Sequence, residues 1–278
     1  MIRRVIVGVD INIEGNMAME YAANLCKILG AELVALHVVE EIQVYNLFGP
    51  VPALERDEIL RERKQIVREA RRLGKKFGIK ASGKIVEGMS PAEELMREAQ
   101  DGGYDLVIVG CHGRSVLVEC LLGGVSSQLI HHSKIPVLVA KTKRDFSSIL
   151  MCTGGSRYAE DAIRFSSEIA KKAKSEVTVL SVAPKEDPRI LKTAKRIANR
   201  GKAILKQSGT KAKAKVRIGH PAEEILKEAR EGEYTLLVMG YKGTSAVVDI
   251  LLGDVVSKVM HHSRRPTLVF REEMLGEL

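Results

Sequence analysis

GCHGRSVLVECLLGGVSS, residues 110–127, follows the apolar run Leu106–Val109 and leads into a helix-like stretch, with glycines at Gly110, Gly113, Gly123 and Gly124. Residues 240–257, GYKGTSAVVDILLGDVVS, repeat three of them, Gly240, Gly243 and Gly253, at the same spacing. Glycine at the end of a buried strand lets the backbone turn sharply and leaves no side chain between it and a ligand. Glycine at the start of a helix leaves the free N–H groups and the positive dipole end open to an anion. This is the layout of a phosphate cradle, and the chain uses it twice.

Outward from the loop the repetition continues. Residues from Pro91 onward and from Pro221 onward are identical at roughly half of about fifty positions, which marks a duplication. Each half reads as a β-branched strand (Arg4–Val9; Ile149–Cys152), a helix (about Met17–Leu29; Ala159–Ala173), and a second strand (ELVALHVV; EVTVLSVA). A long charged helix follows (about Leu54–Phe77; Pro188–Gln207), then a third strand (Lys80–Val86; Lys213–Ile218). Ser90-Pro91-Ala92-Glu93 opens the next helix as a capping box, whereas His220 is a poorer cap before Pro221. The fourth strand runs into the glycine loop, and PVLVA or PTLVF closes the unit.

Short apolar strands alternating with helices call for parallel sheets covered on both faces and joined by right-handed crossovers. The expected fold is α/β: two tandem, doubly wound, Rossmann-like domains of five parallel strands, order 3-2-1-4-5, at residues 1–143 and 144–278. In that order ligands bind where strands 1 and 4 diverge, which brings Asp10 and the glycine loop to one crevice. Two features qualify the repeat. The first half carries about fourteen extra residues between Glu40 and Asp57, and loops in that position carry function in such folds. The last strands are apolar sheet edges, so the halves are expected to pair as a pseudo-dimer, and whole chains to form a homodimer.

Composition narrows the classes. The net charge of +9 suits phosphate ligands, but the basic run from Lys192 has the spacing of an amphipathic helix with lysines outward. No aromatic residues interleave with it, which argues against nucleic-acid stacking. No apolar run spans a membrane and the N-terminus lacks a signal-peptide core, so a cytoplasmic protein with neither nucleic-acid nor membrane partners is expected. Cys26, Cys111, Cys120 and Cys152 lack CxxC or zinc-ligand spacing; reduced thiols are expected, with Cys111 a bystander in the loop.

Gly110, Gly113 and Gly123 fit G-x2-G-x9-G, opening a helix after a buried strand, with Asp10 ending strand 1. On these residues the chain resembles the universal stress protein (UspA) family, as a tandem pair covering nearly the whole sequence. The resemblance implies an adenine-nucleotide-binding regulatory protein holding ATP or AMP, with Mg²⁺ accompanying a triphosphate. It places Val9 and Asp10 against the ribose and adenine, and the Val38 backbone at the adenine edge. Gly110, Gly113, Gly123, Gly124, Val125 and Ser126 would hold the phosphates, with His112 and Arg114 reaching them from the loop. Gly124 stands where the family has Ser or Thr, which weakens binding without excluding it, and Ser126 offers a hydroxyl two positions on.

The second half departs further. Asp254 takes the Ser/Thr position and puts a carboxylate where a phosphate should sit, while Gly154 replaces Asp10. Adenine nucleotides are expected to bind there weakly or not at all.

Other signals are discounted. His131-His132 and His261-His262 point about 100° apart on a helix and do not chelate one ion on one face. Cys152-Thr153-Gly154-Gly155-Ser156 aligns with strand 1 of the first half and not with a pyrophosphatase loop. No Walker motif or nucleophile elbow is present, no residue is assigned a catalytic or metal-binding role, and the family resemblance implies that any hydrolysis is slow. The rival readings are a true phosphoryl-transfer enzyme, for which Asp10 and His112 are the candidate bases, and a nucleotide-independent interaction module.

Overall fold

Runs such as Val5-Ile6-Val7 and Leu106-Val107-Ile108 have no polar alternation, so both faces of these strands must be covered. A computed structural model shows how. It describes residues 1–10, 13–40, 45–46, 49–50, 53–111, 123–142, 145–242 and 253–271. The first half runs β1 (Arg4–Gly8), α1 (Ile13–Leu29), β2 (Glu32–Glu40), β3 (Tyr45–Asn46), β4 (Gly49–Pro50), α2 (Ala53–Phe77), β5 (Ala81–Gly88), α3 (Pro91–Asp101), β6 (Leu106–Gly110), α4 (Gly124–His132) and β7 (Val137–Ala140). The second runs β8 (Ser148–Cys152), α5 (Arg157–Ala173), β9 (Glu176–Ala183), α6 (Pro188–Gln207), β10 (Ala212–Ile218), α7 (Pro221–Glu231), β11 (Leu236–Gly240), α8 (Asp254–His262) and β12 (Thr267–Phe270).

Within each half the strands are parallel in the order third, second, first, fourth, fifth, which is 3-2-1-4-5. Helix α1 begins at Ile13, about a turn before the start near Met17 that its apolar periodicity predicts, because the glycine at 15 and the weak apolar spacing before Met17 hide its first turn. The extra segment of the first half contains the two-residue β3–β4 pair and the start of α2.

The helices divide cleanly. Residues of α1, α2, α5 and α6 pack one core with the odd-numbered residues of β1, while α3, α4, α7 and α8 pack the other with Ile6 and Val107. Ser90 caps α3 by accepting from the Glu93 N–H, and His220 makes no side-chain cap.

The two apolar edges cover each other. β12 pairs antiparallel with β7, with Leu138 opposite Leu268, so ten strands form one sheet. Those two leucines are equivalent in the repeat, so a pseudo-twofold axis runs beside them. Both cores continue across this seam; Tyr21 of α1 meets Phe146 with ring centroids 4.9 Å apart.

A reciprocal pair of cations fastens the seam. Lys141, just past β7, donates from Nζ to the Met260 carbonyl and, at 2.8 Å, to that of Ser263 at the end of α8. Arg271, just past β12, donates to the His131 carbonyl near the end of α4. Each half thus caps the other's last helix, where free carbonyls and the negative dipole end favour a cation.

Burial pushes the Lys141 amine down to about 8 from the usual 10.5. The unfolded chain keeps that proton up to about 10.5, so between these pH values the unfolded state binds more protons and this residue's contribution to stability rises with pH. The gain reaches at most about 3 kcal/mol. We expect wild type to gain stability relative to Lys141→Met between pH 8 and 10 in urea titrations. The difference between the two proteins is the measure, because buried Cys26, its thiol pushed up to about 12, acts in the opposite direction in both. A difference independent of pH would rule the effect out.

Candidate nucleotide site

The strands β1 and β6 lie side by side, and their following helices leave to opposite faces of the sheet. That divergence opens a crevice at their carboxyl ends, as the strand order requires. Val9 is buried and Asp10 exposed at the mouth. Val9 is fixed from both sides: its N–H donates to the Leu36 carbonyl at 2.9 Å, and the buried His37 ring donates from Nδ1 to its carbonyl at 2.9 Å. His37 thereby fixes the backbone that carries Asp10. Sequence reasoning missed it, because a lone histidine in a strand gives no spacing signal. Its neighbour Val38, half-buried, packs on the core beneath.

The other wall is the start of α4. Gly123 is its N-cap and has no side-chain cap, so the N–H groups of Gly124, Val125 and Ser126 have no partner from the helix itself. A Cβ placed on Gly124 would meet nothing within 4 Å. Ser126 behaves differently from the expectation that its hydroxyl serves a phosphate. It is 2% exposed, and its Oγ donates to the Gly110 carbonyl at 2.8 Å. The hydroxyl pins the helix start to the end of β6, leaving the backbone N–H as what Ser126 offers an anion. His112, Gly113 and Arg114 lie outside the described residues, as does Gly243.

The thiols also need correction. Cys26 and Cys152 are free and buried, but Cys111, directly after Gly110, is disulfide-bonded. Sequence spacing did not reveal this, because the path of the chain in space decides which sulfurs meet.

At the equivalent strand ends of the second half the residues differ. A Cβ on Gly240 would come within 2.4 Å of the Ala159 nitrogen at the start of α5. Ser156 caps α5, accepting from the Ala159 N–H at 3.2 Å, and its hydroxyl donates across to the Lys242 carbonyl at 2.7 Å. Tyr241, in the place of Cys111, is 1% exposed, with Tyr158 edge-on at 6.2 Å and the Arg271 guanidinium over its ring at 4.4 Å. Asp254 occupies the first turn of α8, where a phosphate would have to sit.

Two other features are structural. A cavity of about 440 Å³ lies at the opposite ends of the strands, lined by Met1, Tyr104, Asp105, Pro136 and Arg164 among others. Its Asp105 accepts from the Arg3 and Arg4 N–H groups and its Arg164 pairs with Asp161. The His131 and His132 rings stand 6.1 Å apart; burial, followed by the nearby His132 and Arg271, holds His131 below its usual pKa. Among the described residues no three His, Cys, Asp or Glu side chains gather to hold a metal, and no helix is long and apolar enough to cross a membrane.

Comparison with known proteins agrees with this architecture. A universal stress protein of Archaeoglobus fulgidus superposes with a TM-score of 0.77, at 21% identity over 97% of this chain and 98% of that one. A universal stress protein of Mycolicibacterium smegmatis is 25% identical over 96% of each chain. The single-length universal stress protein MJ0577 of Methanocaldococcus jannaschii is 27% identical over 51% of this chain and 97% of its own. Residues 1–141 and again 145–271 match the universal stress protein family, and the chain belongs to that family as a tandem of two such units.

Proposed function

We propose that the first half, residues 1–143, binds ATP or AMP in the crevice between β1 and β6, and that the second half, residues 144–278, has given up that role. The observation that carries this reading is the contrast between the two crevices. In the first, the first N–H groups of α4 have neither a helix partner nor a side-chain cap from Gly123, a Cβ on Gly124 would meet nothing within 4 Å, and exposed Asp10 stands at the mouth to meet ribose hydroxyls. In the second, Asp254 takes the anion position and Gly154 stands in place of Asp10. Backbone donors and a helix N-terminus suit phosphate oxygens, and a Mg²⁺ arriving with a triphosphate would take its ligands chiefly from phosphate and water. The role is regulatory binding, not turnover: Asp10 is the single candidate base among the described residues of the crevice.

The test is stoichiometry. Denatured protein is analysed for released nucleotide by mass spectrometry, and stripped protein is titrated calorimetrically with ATP and with AMP. We expect one site per chain. Two sites would refute the loss of binding in the second half, and no binding heat with either nucleotide would replace this reading with that of a nucleotide-independent interaction module.

A further inference from the structure

The positive charge of the chain is concentrated in one place. Residues 188–218, which form α6 and β10, contain eleven Lys and Arg and no Asp or Glu, so this segment alone exceeds the net charge of +9. The first half supplies an internal comparison. Its counterpart, α2 through β5 (residues 53–88), also has eleven Lys and Arg, but interleaves six Asp and Glu. An ordinary solvated helix face accounts for the first pattern, in which pairs such as Glu69–Arg72 form. It does not account for the loss of every acid in the second.

Some of the eleven have structural work. Arg217 binds Glu224, Glu228 and Glu231, Lys215 joins it on buried Glu228, and Arg200 holds Glu160. Lys192, Lys195, Arg196, Lys202, Lys206 and Lys211 are exposed and make no ion pair among the described residues. At 100° per residue the five on α6 fall within an arc of about 120°, extending roughly 20 Å along the helix. The opposite face, Ala194, Ala198, Gly201, Ile204 and Leu205, is buried on the sheet. β10 is the outer edge of that sheet, so Lys211 extends the stripe along the rim of the molecule.

Arg200 aside, the exposed positions between these cations are Thr193, Asn199, Ala203, Gln207 and Gly209. There is no aromatic ring to stack on unpaired bases and no large apolar side chain to enter a bilayer. Small and polar residues interspersed with Lys and Arg are a composition that contacts phosphate oxygens without reading bases. We propose that this face docks on the phosphate backbone of duplex nucleic acid, independent of base sequence and separate from the nucleotide crevice. The absence of aromatics, which set nucleic acid aside in the sequence, excludes only the single-stranded mode.

Fluorescence anisotropy of the full chain with two labelled 24-base-pair DNA duplexes of unrelated sequence tests this. Both should bind alike, and contact with about five phosphates should weaken affinity about five-hundredfold between 50 and 200 mM KCl. The triple variant Lys195→Glu, Arg196→Glu, Lys202→Glu should lose at least about a hundredfold at the lower salt, and the corresponding Gln triple, which adds no repulsion, a smaller but clear factor. Arg68→Glu, Arg71→Glu, Lys75→Glu on α2 changes net charge equally and should retain binding within about threefold. Equal loss in both Glu triples would reduce the effect to net charge and overturn the proposal. So would no duplex binding by wild type, or binding confined to single strands or to phosphatidylserine vesicles.

Discussion

Gly124→Asp is expected to abolish nucleotide binding while leaving the fold intact. The position opens α4 beside N–H groups that have no partner from the helix itself, and it has room for a side chain. A carboxylate there would lie about 4 Å from a phosphate seated on those donors, which at an effective dielectric near 20 costs about 4 kcal/mol, a thousandfold in affinity. The same substitution places an acid at a helix N-terminus and should raise stability by a few tenths of a kcal/mol. Calorimetric titration with ATP together with thermal unfolding separates the two effects. Gly124→Ser should bind at least as well as wild type. Asp254→Gly should not by itself create a second site, because Gly154 still stands where the first half has Asp10; ATP binding unchanged in Gly124→Asp would dispose of the phosphate cradle.

The second large effect is at the seam. Leu138 and Leu268 are both fully buried and face each other across β7 and β12. Either leucine changed to alanine should cost about 2–5 kcal/mol, a fall in Tm of roughly 5–15 °C for a chain of this size. The two costs should not add, since the side chains share one space. Because both cores cross the seam, calorimetry should show a single transition that moves as a whole. Two separate transitions in wild type would mean that the halves unfold independently.

What was legible in the sequence was local. Continuous apolar runs fixed the parallel strands, Ser90-Pro91-Ala92-Glu93 the start of α3, and Gly123 the start of α4, because period and cap chemistry act over a few residues. What escaped depends on neighbours far along the chain. Ser126 looked like a phosphate ligand until Gly110, 16 residues earlier, claimed its hydroxyl. His37 matters through Val9, Tyr241 through Tyr158 and Arg271, and Lys141 through carbonyls more than a hundred residues away. Asp254 was readable as an obstacle from its charge alone, whereas the packing of Tyr158 and Arg271 on Tyr241 was not.

The antiparallel meeting of β7 and β12 also determines what the molecule is free to vary. In a dimer of separate single units every substitution appears twice, so a change that closed one crevice would close both. Here the two partners are one chain, joined by the few residues between Ala140 and Ser148, and find each other at an effective concentration that does not depend on how much protein is present. Each side of the axis can therefore carry its own residues: Tyr241 and Asp254 occur on one side only, as does the acid-free α6. The fusion turns a symmetric assembly into one with two unlike faces in a fixed one-to-one ratio.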